Sequence, residues 1–240
     1  MKRPLAARFL RLIRTMYAVS GLPIGARPGR MEETFARIYQ HNAWKDPESV
    51  SGPGSTTARA ADFIDELVAL LKSLDTRVLL DAACGDFHWA GPVADAVEHY
   101  IGLDVVPDLI VRHQRANTKP GCRFVYGDLT IDALPQADVI LCRECLVHFS
   151  FHDIVRALRN FRRSGSRYLL TTTFIKRSAN DNISTGAWRP LNLQAAPFGF
   201  PPPLAMVDEK CTHTGGIYRD KRLALWELAR LPGLGVRLKY

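Results

Sequence analysis

No apolar run in this 240-residue chain approaches the length needed to span a bilayer. The N-terminus also lacks the unbroken apolar stretch of a secretory signal, because Arg8, Arg11 and Arg14 interrupt it. Low-complexity tracts and internal repeats are missing, which leaves an ordinary globular domain with room for a substantial core. Cysteine is scarce: the five (Cys84, Cys122, Cys142, Cys145, Cys211) are odd in number and mostly in apolar, strand-like settings. A disulfide framework is therefore disfavoured, and reduced thiols in the cytoplasm are expected. Cys142 and Cys145 have the spacing of half a zinc site, but no second His or Cys pair completes it, so no metal is expected. Acidic residues are absent from residues 1–30, which carry seven of the 32 basic ones; residues 31–240 hold 25 basic against 24 acidic. The net charge of +8 is thus a property of the tail, and no nucleic-acid partner is expected of the neutral body.

Residues 1–30 form a basic extension. Its arginines recur at three-residue steps among Leu5, Phe9, Leu10, Leu12, Ile13, Met16 and Tyr17, the pattern of a basic amphipathic helix. That pattern suits peripheral contact of residues 1–20 with an anionic membrane, which would put the protein at the inner membrane face; a terminal helix packed on the domain or a loose extension fits the same residues. Beyond a Gly- and Pro-rich hinge, residues 31–240 read as one domain. Helices are expected at 31–40, 57–74, 89–97, 107–116 and 151–161. Strands are expected at 77–81, 99–105, 122–126, 137–142, 168–173, 204–207 and 223–228. Alternating strands and helices followed by a terminal strand pair make an α/β fold: a Rossmann-like, doubly wound, seven-stranded and mostly parallel sheet whose last strand is antiparallel.

The first three strands each end on an aspartate, Asp81, Asp104 and Asp128, at intervals of 23 and 24 residues. Ligands of such sheets bind beyond the carboxyl ends of the strands, where all three acids would stand. The first strand–helix turn is Asp81-Ala82-Ala83-Cys84-Gly85-Asp86-Phe87. A dinucleotide fingerprint needs three glycines there, and only Gly85 is present; the flanking acids would repel phosphate. A nicotinamide dehydrogenase is therefore the weaker rival, and a cationic ligand rich in hydroxyl or amine donors fits better. Helix capping is the ordinary alternative for each acid taken singly.

The order of strand ends resembles the class I S-adenosylmethionine-dependent methyltransferases from about residue 50 to the C-terminus. Asp81 and Gly85 match the family's acid-x-Gly-x-Gly-x-Gly loop, while Ala83 and Phe87 replace its outer glycines; the Cys84-Gly85-Asp86-Phe87 sequence resembles one branch of that family more closely. The resemblance implies S-adenosylmethionine as cofactor. It makes Asp104 the acid that accepts from both ribose hydroxyls, Val105 part of the adenine face, and Asp128, with Leu129 beside it, the acceptor for the adenine amino group. Ala83 and Cys84 would lie against the amino-acid end of the cofactor.

Strand four runs into Arg143, Glu144 and His148, polar groups placed where the apolar strand stops. In the family this segment passes under the sulfonium, which makes Arg143 a cofactor contact and His148 and Glu144 candidate bases. A structural histidine bonded to a backbone carbonyl is the alternative for His148. Trp44 and the Ser51-Gly52-Pro53-Gly54-Ser55 turn resemble a tryptophan and turn of the same branch, so Trp44, Gly52 and Ser55 are further cofactor candidates, against a plain helix start. The aperiodic stretch at about 175–203 is expected to cap the acceptor pocket, with Asn182, Trp188, Arg189 and Asn192 touching the acceptor. The expected function is methyl transfer to an oxygen or nitrogen of a small-molecule, lipid or glycan acceptor. The alternative is a non-catalytic S-adenosylmethionine-binding module recruited through the basic N-terminus.

Overall fold

The computed structural model describes residues 30–116, 119–212 and 214–232. The basic extension, expected as an amphipathic helix, lies outside them except for Arg30. The elements are α1 (Arg30–Gln40), α2 (Thr57–Ala61), α3 (Ile64–Ser73), β1 (Val78–Ala82), α4 (Gly91–Asp95), β2 (His99–Asp104), α5 (Pro107–Ala116), β3 (Cys122–Tyr126), β4 (Val139–Cys142), α6 (Phe151–Arg163), β5 (Tyr168–Phe174), β6 (Ala205–Asp208) and β7 (Lys221–Glu227).

The strands form one seven-stranded sheet in the order β3-β2-β1-β4-β5-β7-β6. Strands β1 to β5 pair in parallel, and β7 inserts antiparallel between β5 and β6. The direction of winding reverses between β1 and β4, and the crevice at that switch point is where ligands of doubly wound sheets bind. Side chains alternate between the faces. Leu80, Ile101 and Ile140 pack on one side with Ile154, Leu158 and Phe161 of α6. Leu79, Tyr100 and Val139 pack on the other with Leu67 and Leu71 of α3. Both faces are covered, which is why the parallel strands read as continuous apolar runs.

Two elements depart from the sequence reading. The helix expected at 57–74 breaks at Phe63, which takes a non-helical backbone and turns its ring inward, 5.5 Å from Trp89. The helix expected at 89–97 covers only Gly91–Asp95, because Trp89 is drawn into the same buried cluster. Asn182, expected at the acceptor, instead accepts from the Phe151 amide at the start of α6 (2.8 Å), beside the Ser150 N-cap. Asn192, expected there too, is buried in the scaffold of the 175–203 stretch: it donates to Arg177 O (2.7 Å), and its amide donates to Asn180 Oδ1 (2.8 Å).

Candidate active site

Two cavities adjoin at the switch point. The first is lined by Asp81, Ala83, Cys84 and Gly85 from the β1 end, Asp104 and Val105 from the β2 end, Gly127 and Leu129 after β3, and Met31, Phe35, Ile38 and Tyr39 from α1. The second lies toward β7 and is lined by Phe174, Trp188, Glu209, Lys210, Tyr218 and Lys221, among others. Trp44, Ser51, Arg143, Glu144 and His148 line both.

The turn after β1 has the backbone of a three-glycine loop with one glycine in it. Ala83, Gly85 and Phe87 have φ of 72°, 56° and 57°, so two side-chain-bearing residues hold left-handed positions that cost roughly 1–2 kcal/mol each. Gly85 has no alternative: a Cβ there would lie 2.3 Å from Ser51 Oγ. Asp86 locks this approach, accepting from Ser49 Oγ (2.8 Å) and Ser51 Oγ (3.0 Å) while its amide donates back to Ser51 Oγ (2.9 Å). The Ser51–Ser55 turn is thereby fixed against the β1 loop. Ser55 and Trp44 face the first cavity, whereas Gly52 lines the second and seats Trp44, whose Cβ would be 3.3 Å from a Gly52 Cβ.

Asp81 and Asp104 are buried in the first cavity's wall. Asp81 accepts from Tyr100 Oη (2.5 Å), and burial pushes its carboxyl up to about 7 against that hydrogen bond, with Asp104 adding to the rise. Asp104 accepts from the amides of Gly85 (3.0 Å) and Val106 (2.9 Å); burial still pushes its carboxyl above the usual range. Each Asp104 oxygen takes one amide and keeps a second acceptor position. Asp128 is used differently: Oδ1 accepts from the amide (2.8 Å) and hydroxyl (2.7 Å) of Thr130, closing a turn, while its neighbours Gly127 and Leu129 line the cavity.

The wall shared with the second cavity is an internal ion cluster. Arg143 packs on the rings of Phe63 (4.6 Å) and Trp89 (4.8 Å), donates through Nη2 to Gly54 O (2.8 Å), and donates through Nε and Nη2 to Glu209 Oε2 (3.0 and 2.7 Å). Lys221 joins Glu209 Oε2 (3.0 Å) and pairs with Glu144 Oε1. Burial would raise the Glu144 carboxyl, but Lys221 and Arg143 outweigh it and hold it at about 2. Glu144 is therefore a committed anion, too weak a base to compete with His148 for a proton. Sequence reading missed Lys221, Glu209 and Tyr218. The one signal was charge at the facing ends of the last two strands, Asp208-Glu209-Lys210 and Asp220-Lys221.

His148 stacks on Trp44 (centroids 5.0 Å apart), and its Nδ1 stands 2.9 Å from Ala187 O. A carbonyl can only accept, so Nδ1 carries the proton, and burial lowers the imidazole's pKa despite the Glu144 charge. Burial thus favours the neutral ring, with Nε2 as its lone-pair nitrogen. The turn that carries it is clamped by the 186–189 loop: Gly186 N donates to His148 O (2.9 Å) and Arg189 N to Val147 O (3.2 Å). Arg189, expected to touch the acceptor, is buried and donates to Leu146 O, Val147 O and Phe149 O, so it holds the histidine's turn instead. Of the four expected acceptor contacts, Trp188 alone lines the second cavity.

Residues 79–165, which carry the strand ends and His148, match the family model described as a methyltransferase domain. This part of the chain is similar to a methyltransferase domain. No curated protein matches it in sequence. Among solved structures it resembles magnesium protoporphyrin IX methyltransferase from Synechocystis PCC 6803 with bound SAM, at 16% identity and TM-score 0.47, covering 85% of this chain and 86% of that one. It also resembles human N-acetylserotonin methyltransferase in complex with SAM (16% identity, TM-score 0.46, 61% of this chain, 42% of that one). The PH0226 protein from Pyrococcus horikoshii OT3 is similar at 21% identity and TM-score 0.41 over 48% of this chain, which spans 57% of that protein. The first cavity fits the S-adenosylmethionine that the sequence resemblance implies: it has apolar walls at Val105 and Leu129, open acceptor positions on Asp104, and at Gly85 a close approach of the β1 loop to Ser51 that leaves no room for a Cβ. Among the described residues no cluster of three or more His, Cys, Asp or Glu is placed to hold a metal ion.

Proposed function

We propose that the whole chain methylates an oxygen or nitrogen of a small-molecule, lipid or glycan acceptor held in the second cavity. The observation that carries this reading is His148, whose Nδ1 stands against Ala187 O and whose ring is set in the wall common to both cavities. When bound, S-adenosylmethionine would supply a sulfonium-activated methyl group, to whose carbon the acceptor's nucleophile bonds as the carbon–sulfur bond breaks and its electron pair goes to sulfur. The protein's work is alignment, exclusion of water and removal of one proton. Asp104 accepts from the ribose hydroxyls; Val105 and Leu129 flank the adenine. Asp128 closes the turn that sets Gly127 and Leu129 along the adenine, and the loop from Ala83 to Gly85 lies along the amino-acid end. Asp81, with Ser55 and Trp44 across the cavity, faces that end's positive charge. Arg143 fixes the Ser51–Ser55 turn over the cofactor. His148 Nε2 takes the proton that the acceptor loses, and Ala187 O steadies the imidazolium through Nδ1.

Residues 1–20 give this reading a place in the cell: their basic, apolar pattern suits the anionic inner face of a membrane, where lipid-linked acceptors are made. The Cys84-Gly85-Asp86-Phe87 loop would set the chain in its own branch of the family. Titration calorimetry with S-adenosylmethionine and S-adenosylhomocysteine, followed by tritiated-methyl transfer to fractionated cell extract, tests the core of the proposal. Heat with both ligands and label in a discrete product are expected. Absence of heat with either would end it.

A further inference from the structure

The second cavity has a composition that selects its occupant, given the methyl-transfer reading above. The ion cluster of Arg143, Glu144, Glu209 and Lys221 forms one wall, and Arg59, Asp62 and Lys210 add further charge. Opposite in character is an aromatic corner, where Phe174, Trp188 and Tyr218 meet edge to face at 5.1–5.9 Å and Trp188 remains 38% exposed. Glu209 is 5% exposed and spends only one oxygen on the cluster. Oε2 receives Arg143 and Lys221, while Oε1 is buried with no hydrogen-bond partner.

An orphaned buried carboxylate oxygen costs on the order of 1–3 kcal/mol until a donor reaches it. A purely aromatic or aliphatic acceptor would leave that oxygen unmet and strip water from the surrounding charges. A phosphate group, ionised and without protons to donate, would leave that oxygen unmet as well. A ring bearing several hydroxyls does neither: its O–H groups donate to carboxylates, its oxygens accept from Lys210 and Arg59, and its C–H face lies on an indole.

We propose that the second cavity takes a polyhydroxylated ring, a sugar residue, with one hydroxyl donating to Glu209 Oε1 and the apolar ring face on Trp188. The methylated group is then a sugar hydroxyl, the acceptor type for which the His148 base matters most. Glu209 and Trp188 are specificity residues, in contact with the acceptor and remote from the cofactor's adenosine.

The test uses p-nitrophenyl hexosides, whose only hydroxyls are on the sugar, beside 4-nitrocatechol and 4-nitrobenzylamine as phenol and amine probes, each with tritiated-methyl donor. Label is expected in the hexosides. Trp188→Ala should raise the hexoside KM about tenfold with kcat nearly unchanged, and Glu209→Gln should act in the same direction. A binding readout stands beside turnover: hexosides should quench tryptophan fluorescence of the S-adenosylhomocysteine complex, less so in Trp188→Ala. Trp188 is partly exposed, so that variant keeps the test valid if Glu209→Gln fails to fold. Label in the phenol or amine alone, or in none of the probes while S-adenosylhomocysteine still gives heat, overturns the sugar and leaves methyl transfer standing. Absence of that heat overturns both.

Discussion

Buried carboxylates stand in both cavities, and they are held in opposite ways. Asp81 and Asp104 face the first cavity with hydroxyl and amide donors, and among the described residues no lysine or arginine bonds either one; burial wins and both titrate high. Glu144, in the wall toward the second, has Lys221 and Arg143 beside it, and the cations win. The second cavity carries its own counter-charge, while the first leaves a place for charge that arrives with a ligand. On the proposed reading, a cofactor with a sulfonium and an ammonium group is such a ligand.

Four substitutions press on this contrast. Lys221→Met strips the second cavity of a cation that two carboxylates share, and should cost about 3–5 kcal/mol in urea unfolding at pH 8. The loss should shrink toward pH 5 as the freed Glu144 takes up a proton; a pH-independent loss would refute the counter-charge argument. In the first cavity the sign reverses. Asp81 binds its proton more tightly folded than unfolded, so the native state is favoured at low pH, and that advantage is lost as pH rises from about 4 to about 7, by at most about 4 kcal/mol. Asp81→Asn should therefore be more stable than the wild type at pH 8 and level with it near pH 4, read by thermal unfolding across pH. The wild type's affinity for S-adenosylmethionine should meanwhile climb over the same interval.

His148→Gln should lower single-turnover methyl transfer by about 10²–10³-fold while the dissociation constant of S-adenosylhomocysteine moves less than about threefold. Equal losses in both would make His148 part of the binding wall and nothing more. Asp104→Asn, with one acceptor oxygen exchanged for a donor, should weaken S-adenosylhomocysteine about 10–100-fold by calorimetry and leave acceptor binding alone.

The sheet was legible because strand identity rests on local pattern: each strand is an apolar run stopped by a polar residue, and the observed bounds lie within a few residues of the expected ones. What failed depended on contacts distant in sequence. Phe63 has helical neighbours, yet Trp89 and Arg143 draw its ring inward and break the helix. In the 175–203 stretch, polar residues in an irregular loop read as ligand-facing. A buried irregular backbone has its own carbonyls and amides to satisfy, and Asn182, Arg189 and Asn192 are spent on that. Trp188, with no such duty, is the one left facing a cavity. The Glu209–Lys221 half of the ion cluster was hidden for a further reason: charge at the ends of terminal strands looks like solvated surface until β7 folds back beside β5.

Helix α1 adds a last consequence. Its Met31, Phe35, Ile38 and Tyr39 roof the first cavity; Tyr126 Oη grips Glu32 Oε2 (2.5 Å), and Gly186 leaves room for Thr34, whose methyl would lie 2.7 Å from a Cβ there. The roof comes from upstream of the first strand, outside the 79–165 segment that matches the family. A fragment trimmed to that segment would keep the aspartates but stand open to solvent above them, a basin in place of a chamber.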